Sequence, residues 1–337
     1  MKLSIIILNW NGADMLCRFL PSVIKHSPGA EIVVADNGST DGSLELLDGR
    51  FPSVRTLVFD RNYGFAEGYN KAIAQVECDL CLLLNSDVRV EEGWLTPMLD
   101  YMEAHPEVAA CQPKIRSEQE PKMLEYAGAC GGYIGRLGFP FCRGRILGTV
   151  ERDEGQYDSI ASVAWATGAA LLIRRNIYLE AGGLDARFFA HQEEIDLCWR
   201  LRSRGYGIVC IPESVVYHVG GGTLPKESPR KAYLNFRNNL ILLYKNMPEK
   251  EFNHILHWRR TLDAAAALHF LVGGHWAACW AVLRAHLDFR KMRKNFKEDR
   301  DRNLAATIVP ADKILSPINL LWEYYGKRHF TFKDLGI

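Results

Sequence analysis

The feature that most limits the fold is an apolar run, Leu80-Cys-Leu-Leu-Leu84, that ends abruptly at Asn85-Ser86-Asp87. Such a run predicts a strand that is buried on both faces of a parallel sheet. Open α/β sheets bind their ligands outside the carboxyl ends of these strands. At that point the Asp87 carboxylate can hold a hard cation such as Mg²⁺ or Mn²⁺. The alternative is that Asp87 only caps a turn.

Further strands precede this run. Residues 2–8, 31–35 and 54–59 are predicted strands, and residues 13–26 carry apolar side chains at helical spacing. Alternating strands and helices are typical of α/β proteins. The first unit lacks G-x-G-x-x-G, which disfavours a dinucleotide-binding oxidoreductase. It also lacks the glycine-rich, arginine-containing loop expected of a sugar-phosphate nucleotidylyltransferase.

Charge is unevenly distributed along the chain. Residues 1–225 contain 21 basic and 29 acidic side chains, whereas residues 226–337 contain 20 and 11. Net charges of −8 and +9 predict an acidic catalytic part and a basic part that faces an anionic partner. Nine scattered cysteines and the lack of a secretory signal predict a cytoplasmic protein with reduced thiols. Cys78 and Cys81 have the spacing of a metal or redox pair, but no second pair accompanies them.

Four short motifs follow the predicted strands: Asn9-Trp-Asn-Gly12, Asp36-Asn-Gly-Ser-Thr-Asp-Gly42, Asn62-Tyr-Gly-Phe-Ala-Glu-Gly-Tyr-Asn70 and Leu84-Asn-Ser-Asp87. The second can form a tight turn and present an acceptor to a nucleoside. The glycines of the third allow a ligand to approach the backbone closely. In this order and spacing, the motifs resemble family 2 glycosyltransferases of the GT-A fold, and the bacterial rhamnosyltransferase-like branch most of all.

The resemblance implies a mixed, mostly parallel central sheet flanked by helices, a nucleotide-sugar donor, and a saccharide or lipid-linked saccharide acceptor. Asp36 would read the nucleoside, and Asp87 stands where the family's Asp-x-Asp motif binds Mg²⁺ or Mn²⁺. Asn85 replaces the first Asp of that motif, so one carboxylate is missing. The implied donor-binding residues are Asn9, Asp36, Asn62, Gly64, Gly68, Asn70, Asn85, Thr167, Gly168 and Arg237.

The middle of the chain is less regular. Residues 91–105 predict a helix and residues 108–112 a short strand. The glycine-rich residues 125–144 predict an irregular loop, which in a transferase would be a lid or an acceptor-side loop. Residues 162–174 predict a strand that resembles the family's strand with a glycine beside the donor sugar. Thr167 and Gly168 occupy that position.

An acidic motif, Glu193-Glu-Ile-Asp196, opens a predicted helix. Glu193, Asp196 and Arg200 fall on one helical face, and neighbouring carboxylates raise one another's pKa. Glycosyl transfer needs a base that takes the proton of the acceptor hydroxyl. The alternative is an exposed acidic helix start, which the macrodipole favours. The resemblance to the family's Glu-Asp-x-Asp motif implies that Glu194 is the base and that Glu193 and Asp196 orient the acceptor and neighbouring basic groups.

After a predicted strand at residues 207–212, His218 begins a His-x-Gly-Gly segment. The resemblance implies that His218 approaches the metal and that the glycines approach the diphosphate. Pro225 and the charge shift predict a boundary between a catalytic domain, residues 1–225, and a helical region, residues 226–337. Arg237 resembles the Arg of the family's Arg-Asn pair, which would reach the diphosphate or the lid.

The C-terminal region has a helical pattern. Residues 264–283 contain no Asp, Glu, Lys or Arg and are long enough to cross a bilayer. Because many are alanine and the stretch contains a Gly-Gly pair, a membrane-spanning helix, a buried hairpin and an interfacial helix remain three alternatives. A basic cluster follows and would suit anionic lipid headgroups; it consists of Arg284, Arg290, Lys291, Arg293, Lys294 and Lys297.

We therefore predict an inverting glycosyltransferase of cell-surface polysaccharide biosynthesis, with dTDP-rhamnose as a candidate donor. It would be cytoplasmic, with a peripheral site on the inner face of the cytoplasmic membrane, and it would have no nucleic-acid partner. The alternatives are a nucleotidylyltransferase-like enzyme and a non-catalytic scaffold that binds a membrane or a partner.

Overall fold

The structure is a computed structural model that describes residues 1–220 and 228–337. Strands and helices alternate in its first part, as the apolar patterns predict. The bounds are β1 (Leu3–Asn9), α1 (Ala13–His26), β2 (Glu31–Asp36), α2 (Ser43–Arg50), β3 (Arg55–Val58), α3 (Gly64–Ala74) and β4 (Leu80–Asn85).

The second part completes the sheet. It consists of β5 (Val88–Val90), α4 (Thr96–Ala104), β6 (Val108–Ser117), β7 (Gly132–Ile134), β8 (Pro140–Cys142), β9 (Arg145–Ile146), β10 (Thr149–Val150), β11 (Ala161–Ser162), β12 (Ala170–Arg174), α5 (Arg175–Glu180), α6 (Glu193–Ser203) and β13 (Gly207–His218).

Strand β4 lies at the centre of a nine-stranded sheet of the described residues, in the order β11-β13-β6-β12-β4-β1-β2-β3, with β5 paired to β13. β4 is parallel to β1 and antiparallel to β12, so the sheet is mixed but mostly parallel, as predicted. The side chains of residues 80–84 are fully buried on both faces. The register places Asn9 beside Asp36 and Leu8 beside Asn85, so the polar residues after three strands meet at one edge.

The structure corrects four predicted elements. The loop predicted at residues 125–144 contains β7 and β8, which belong with β9 and β10 to a second, four-stranded sheet. The strand predicted at residues 162–174 is interrupted between β11 and β12, where the chain bends at Ala164 and turns at Gly168 and Ala169. Helix α4 is shorter than residues 91–105, and β13 continues past residue 212 to His218.

The C-terminal helices are α7 (Pro229–Asn246), α8 (Glu249–Val272), α9 (Trp276–Met292), α10 (Lys297–Ala305) and α11 (Ala311–Ile314). Apolar side chains of α7, α8 and α9 belong to the same hydrophobic core as Ile6 of β1 and Leu83 of β4. The predicted domain boundary at residues 225 and 226 lies outside the described residues, and the two regions share one core across it.

Residues 264–283 form neither one spanning helix nor a buried segment. They include the end of α8, a turn at Gly273-Gly274-His275 and the start of α9. The chain reverses at Gly274, whose φ of +78° suits glycine. Within the described ranges, every helix is either too short or too polar to cross a bilayer.

A buried ionic cluster joins α6 to α7. The Asp196 carboxylate is 0% exposed and accepts hydrogen bonds from Lys245 Nζ at 2.8 Å, Asn246 Nδ2 at 2.9 Å and Arg200 Nε at 3.0 Å. Although burial raises the pKa of Asp196, Lys245 and Arg200 lower it below its usual value. All the polar atoms of the carboxylate are therefore satisfied inside the protein. Asp196 thus orients the basic groups Lys245 and Arg200, and its contact with the acceptor stays a prediction.

Removing Lys245 should destabilise the protein strongly, because Asp196 would keep a buried charge with fewer partners. We expect Lys245→Met to lower the free energy of unfolding by about 3–5 kcal/mol. The measurement is denaturant unfolding followed by circular dichroism. Lys250→Met, which changes an exposed lysine at the start of α8, is the matched control. Equal stability of the two variants would contradict the role given to this cluster.

Candidate active site

Asn9 and Asp36 lie side by side at the ends of β1 and β2. Asn9 Nδ2 donates to the Asp36 carboxylate at 3.0 Å, and the Ser39 backbone N–H donates to it at 2.9 Å. Asn9 and Asp36 are fully buried. Asn9 Oδ1 has no hydrogen-bond partner in the described part of the chain, so it is an available acceptor. The turn therefore holds Asp36 in one orientation, and its contact with a nucleoside stays a prediction.

Asn37, which the sequence analysis did not single out, connects this turn to the start of α3. Its Nδ2 donates to Asn62 Oδ1 at 3.1 Å, and its Oδ1 accepts from the Tyr63 N–H at 2.9 Å. Asn62 Oδ1 also accepts from the N–H of Gly64, whose φ is +78°. Asn62 and Gly64 thus shape the loop next to Asp36. Only the register of β1, β2 and β3 brings these residues together.

Gly68 and Asn70 have structural reasons for their identities. A Cβ at Gly68 would lie 2.8 Å from Leu8 Cδ1, so glycine allows α3 to pack closely on β1. Asn70 Nδ2 donates to the Leu184 carbonyl at 2.8 Å, and Asn70 Oδ1 accepts from the Leu184 N–H at 3.0 Å. Asn70 also accepts from the Tyr178 hydroxyl at 2.6 Å. Asn70 therefore supports the loop at Leu184, and its place in the donor pocket stays a prediction.

Asp87 and His218 meet beyond the end of β4. His218 Nε2 lies 3.1 Å from Asp87 Oδ1 and 3.2 Å from Asn85 Nδ2. On the other side of the ring, His218 Nδ1 lies 3.6 Å from Glu125 Oε1. Asn85 and His218 are 133 residues apart in the chain. The antiparallel pairing of β13 with β5 brings them together, because it places His218 opposite Val88.

Asp87 and Glu125 stabilise the charged form of His218, and His218 stabilises the charged form of Asp87. Burial alone lowers the pKa of His218, but hydrogen bonding and charge from Asp87 and Glu125 raise it to about 10. Burial raises the pKa of Asp87, whereas its contact with His218 lowers it below its usual value. Without a cation, His218 is therefore a protonated imidazolium between two carboxylates. Sequence reasoning missed Glu125, because an isolated glutamate in a glycine-rich segment carries no pattern.

The donor atoms around Asp87 fit a divalent cation. Asp87 offers carboxylate oxygens, and His218 offers Nε2, the ring nitrogen that faces Asp87 at 3.1 Å. Residues 1–220 and 228–337 contain no group of three or more His, Cys, Asp and Glu side chains arranged to hold a metal. Mg²⁺ needs only one or two carboxylates when water and substrate phosphates complete its shell. Asp87 and His218 are the candidate ligands, and metal binding stays a prediction.

Glu193 and Glu194 begin α6, and neither is an exposed helix start. Glu193 is 5% exposed and Glu194 is half-buried. In each, Oε2 is buried without a hydrogen-bond partner within the described residues. Burial raises the pKa of Glu194 to about 7, and burial together with the charge of Glu194 raises the pKa of Glu193 well above its usual value. A pKa near neutrality suits a general base, and this role of Glu194 stays a prediction.

Gly168 lies between Glu194 and the helix of the third motif. A Cβ on Gly168 would lie 3.9 Å from Glu194 Cβ and 3.0 Å from the Phe65 ring. Thr167 is buried, and its N–H donates to Gln112 Oε1 at 2.9 Å. The predicted donor-sugar loop and the predicted base thus face each other. A Cβ at this position would press on the Phe65 ring, whereas its distance to Glu194 is an ordinary van der Waals contact.

The backbone before α6 is strained. Phe189, His191 and Gln192 have φ angles of 68°, 69° and 71°, which only glycine adopts easily. Each such residue costs about 1–3 kcal/mol, and strain of this kind clusters at functional sites. Burial, with a smaller effect of Lys231, lowers the pKa of His191 to about 4, so its ring is neutral. The strained segment aims the first turn of α6 toward Gly168.

Arg237 and Asn238 of α7 hold this strained segment. Asn238 Nδ2 lies 2.8–3.0 Å from the carbonyl oxygens of Phe188, Ala190 and His191. Arg237 donates to the Phe188 carbonyl at 2.8 Å and to Asn238 Oδ1 at 2.7 Å. The Arg237 guanidinium thus binds the chain at the start of the strained segment. Its predicted contact with a diphosphate has no support from these bonds, and Gly221 and Gly222 of the predicted phosphate-binding run lie outside the described residues.

Comparison with known proteins identifies the family. The model of glycosyl transferase family 2 matches residues 4–145. An N-acetylglucosaminyl-diphospho-decaprenol L-rhamnosyltransferase of Mycobacterium tuberculosis is 30% identical over 237 residues, which cover 64% of this chain and 75% of that protein. The rhamnosyltransferase WbbL of Escherichia coli is 24% identical over 221 residues, which cover 64% of this chain and 82% of that protein.

A solved structure shares the fold. GalNAc-T7 with UDP, GalNAc and Mn2+ superimposes with a TM-score of 0.62 at 16% identity. The match covers 98% of this chain and 58% of that chain. The central mixed sheet, the flanking helices and the C-terminal helices are thus those of a GT-A glycosyltransferase. Together with the 30% identity over three quarters of the mycobacterial relative, this shows that the chain is a glycosyltransferase and belongs to glycosyl transferase family 2.

Proposed function

We propose that this glycosyltransferase moves a sugar from a nucleoside-diphosphate donor to a saccharide or lipid-linked saccharide in cell-surface polysaccharide biosynthesis, with inversion at the anomeric carbon. The observation that carries the proposal is the half-buried Glu194, whose pKa is about 7 and whose side chain lies next to Gly168. Two relatives are named rhamnosyltransferases, which makes dTDP-rhamnose the candidate donor. The family assignment favours this reaction over nucleotidyl transfer.

Glu194 acts as the base in this proposal. Its carboxylate accepts the proton of the acceptor hydroxyl while that oxygen attacks the anomeric carbon and the bond to the diphosphate breaks. Glu193 is held protonated by burial and by the charge of Glu194. It can therefore donate a hydrogen bond to the acceptor while Glu194 accepts one. Arg237 and Asn238 keep both carboxyl groups in place through the strained segment.

Asp87 and His218 hold a divalent cation in this proposal, and Asn85 lies beside them. A bound Mg²⁺ or Mn²⁺ would neutralise the charge that develops on the leaving diphosphate. Binding of the cation requires His218 to lose its proton, because a ring nitrogen that ligates a metal must be unprotonated. A solved structure of the same fold, GalNAc-T7, contains UDP and Mn2+, which supports a divalent cation in this proposal.

The acceptor side is proposed to lie at an anionic membrane surface, on the inner face of the cytoplasmic membrane. The name of the mycobacterial relative describes a lipid-linked saccharide acceptor. The net charge of +9 in residues 226–337 suits anionic headgroups. The function as a whole is tested by incubating the purified protein with a panel of nucleotide-sugars and measuring release of the nucleoside diphosphate. A protein that hydrolyses or transfers from none of them would be a scaffold instead.

Glu194→Gln should lower turnover by about 10² to 10⁴, because the amide keeps the shape of the side chain but cannot take a proton. Donor affinity should stay nearly unchanged, since the nucleotide is held at Asp36 and Asp87. Steady-state transfer kinetics and a nucleotide-binding titration measure the two effects.

Glu194→Asp should recover part of the lost turnover, because it keeps the carboxylate on a shorter side chain. Glu193→Gln is the matched control and should cost less, since its amide can still donate a hydrogen bond. An inactive Glu193→Gln enzyme beside an active Glu194→Gln enzyme would move the base by one residue.

The rate should depend on pH through Glu194. Because burial raises its pKa to about 7, the carboxyl group is protonated below that pH and cannot act as a base. We expect kcat/KM to fall as the pH drops through about 7 and to level off above it. Glu194→Gln should lose this dependence. A wild-type profile that stays flat down to the ordinary pKa of a glutamate would exclude Glu194 as the titrating base.

Asp87→Ala should abolish the Mn²⁺-dependent stabilisation by a nucleoside diphosphate, and His218→Ala should weaken it. A ligand at 100 times its Kd stabilises a protein by about 2.7 kcal/mol, which a thermal-unfolding assay detects readily. Asp79→Asn changes an exposed carboxylate at the opposite end of β4 and is the control. Full shifts in both the Asp87 and the His218 variants would show that the metal lies elsewhere.

A further inference from the structure

The turn between α8 and α9 carries an apolar surface that the glycosyltransferase chemistry does not use. The last buried residue of α8 is Ala267, and the first of α9 is Ala281. None of the residues between them, 268–280, is buried. We call these residues the hairpin tip. They contain no Asp, Glu, Lys or Arg, and their ionisable side chains are His269, His275 and Cys279.

The hairpin tip exposes large apolar side chains. Val272 is 81% exposed, Trp276 71%, Trp280 60% and Leu268 59%. On α9 the stripe continues toward the base of the hairpin with Leu283 and Leu287, which are also exposed. Spacings of three and four residues place these α9 side chains on one face of the helix. A contiguous exposed apolar patch of this kind marks an interaction surface.

The charges around the tip identify the partner. Exposed Arg260 on α8 and Arg284 on α9 flank its base, and Arg284 also pairs with Asp288 at 3.3 Å. Between residues 264 and 287 the sequence contains no acidic residue. Exposed tryptophans beside basic residues suit the boundary between lipid headgroups and acyl chains, where an indole has both polar and apolar surroundings. A water-soluble protein partner would not require basic residues beside the apolar tip.

The length of the tip decides how it meets a bilayer. About five residues of each helix extend beyond the last buried residue, which at about 1.5 Å per residue gives a projection of roughly 8 Å. A bilayer core is about 30 Å thick, whereas interfacial helices insert about 5–10 Å. We propose that the hairpin tip inserts into the interfacial layer of a membrane that contains anionic lipids. This inference rests on the membrane surface of the proposed function and adds the segment that engages it.

Side-chain hydrogen bonds link α9 to α7, and α7 to the strained segment before α6. Asp288 of α9 accepts a hydrogen bond from the Tyr233 hydroxyl of α7 at 2.8 Å. One turn later on α7, Arg237 donates to the Phe188 carbonyl in the segment that leads to Glu194. A hairpin anchored in lipid would therefore hold α7, and with it the strained segment before Glu194, near the membrane surface. A lipid-linked acceptor would meet Glu194, the proposed catalytic base, near that surface.

The test is co-sedimentation of the full-length protein with vesicles. The wild type should bind vesicles of equimolar phosphatidylcholine and phosphatidylglycerol, and less so vesicles of phosphatidylcholine alone or vesicles in high salt. Val272→Glu/Trp276→Glu should weaken binding at least about tenfold, because it places charge in the inserted segment. Trp322→Glu/Tyr325→Glu changes two exposed aromatic residues outside the hairpin and is the matched control.

Depth is measured with vesicles of the same composition whose acyl chains are brominated, since bromine quenches tryptophan fluorescence at close range. Trp276→Phe/Trp280→Phe should bind nearly as well as the wild type and lose most of the quenching. Wild-type protein that ignores anionic vesicles, or a Glu double variant that binds as the wild type does, would overturn the proposal. Hydrolysis of the donor without lipid, measured for the same variants, keeps this outcome separate from a failure of the proposed function.

Discussion

The Asp196 carboxylate connects the catalytic helix to the C-terminal region, and much of the site depends on it. It is fully buried and bound by Lys245 and Asn246 of α7 and by Arg200 of its own helix. A buried charge is tolerated only when its partners are in place, because its desolvation costs several kcal/mol. The cluster therefore constrains α6 and α7 to one relative position. The direction of Glu194, two residues before Asp196, follows from that constraint.

The same helix pair accounts for the properties of the acidic motif. Hydrogen bonds from Asn238 and Arg237 hold the segment before α6, which contains left-handed residues, in place. The first turn of α6 therefore enters the protein instead of facing solvent. Burial then raises the pKa values of Glu193 and Glu194, and their proximity raises that of Glu193 further. Strain at the entrance of the helix and a carboxyl group suited to proton transfer are thus two consequences of one packing arrangement.

The C-terminal helices serve more than the stability of the core. Helix α7 supplies the partners of Asp196 and the support of the catalytic loop, and α9 contacts α7 through Tyr233 and Asp288. The exposed hairpin tip lies at the start of α9. Helix α9 therefore connects the proposed lipid contact to α7.

The sequence alone determined the βα units, the central strand at residues 80–84 and the family. Apolar periodicity and turn residues act over a few neighbours, so they can be read locally. The resemblance also predicted that His218 approaches the metal site at Asp87. Only the tertiary structure decided that Glu125 joins them, that Lys245 and Asn246 of α7 enclose the Asp196 carboxylate, and that residues 264–283 form an exposed hairpin. These outcomes depend on contacts between distant segments, whose pairing is set by packing and charge compensation across the whole fold and leaves no local pattern.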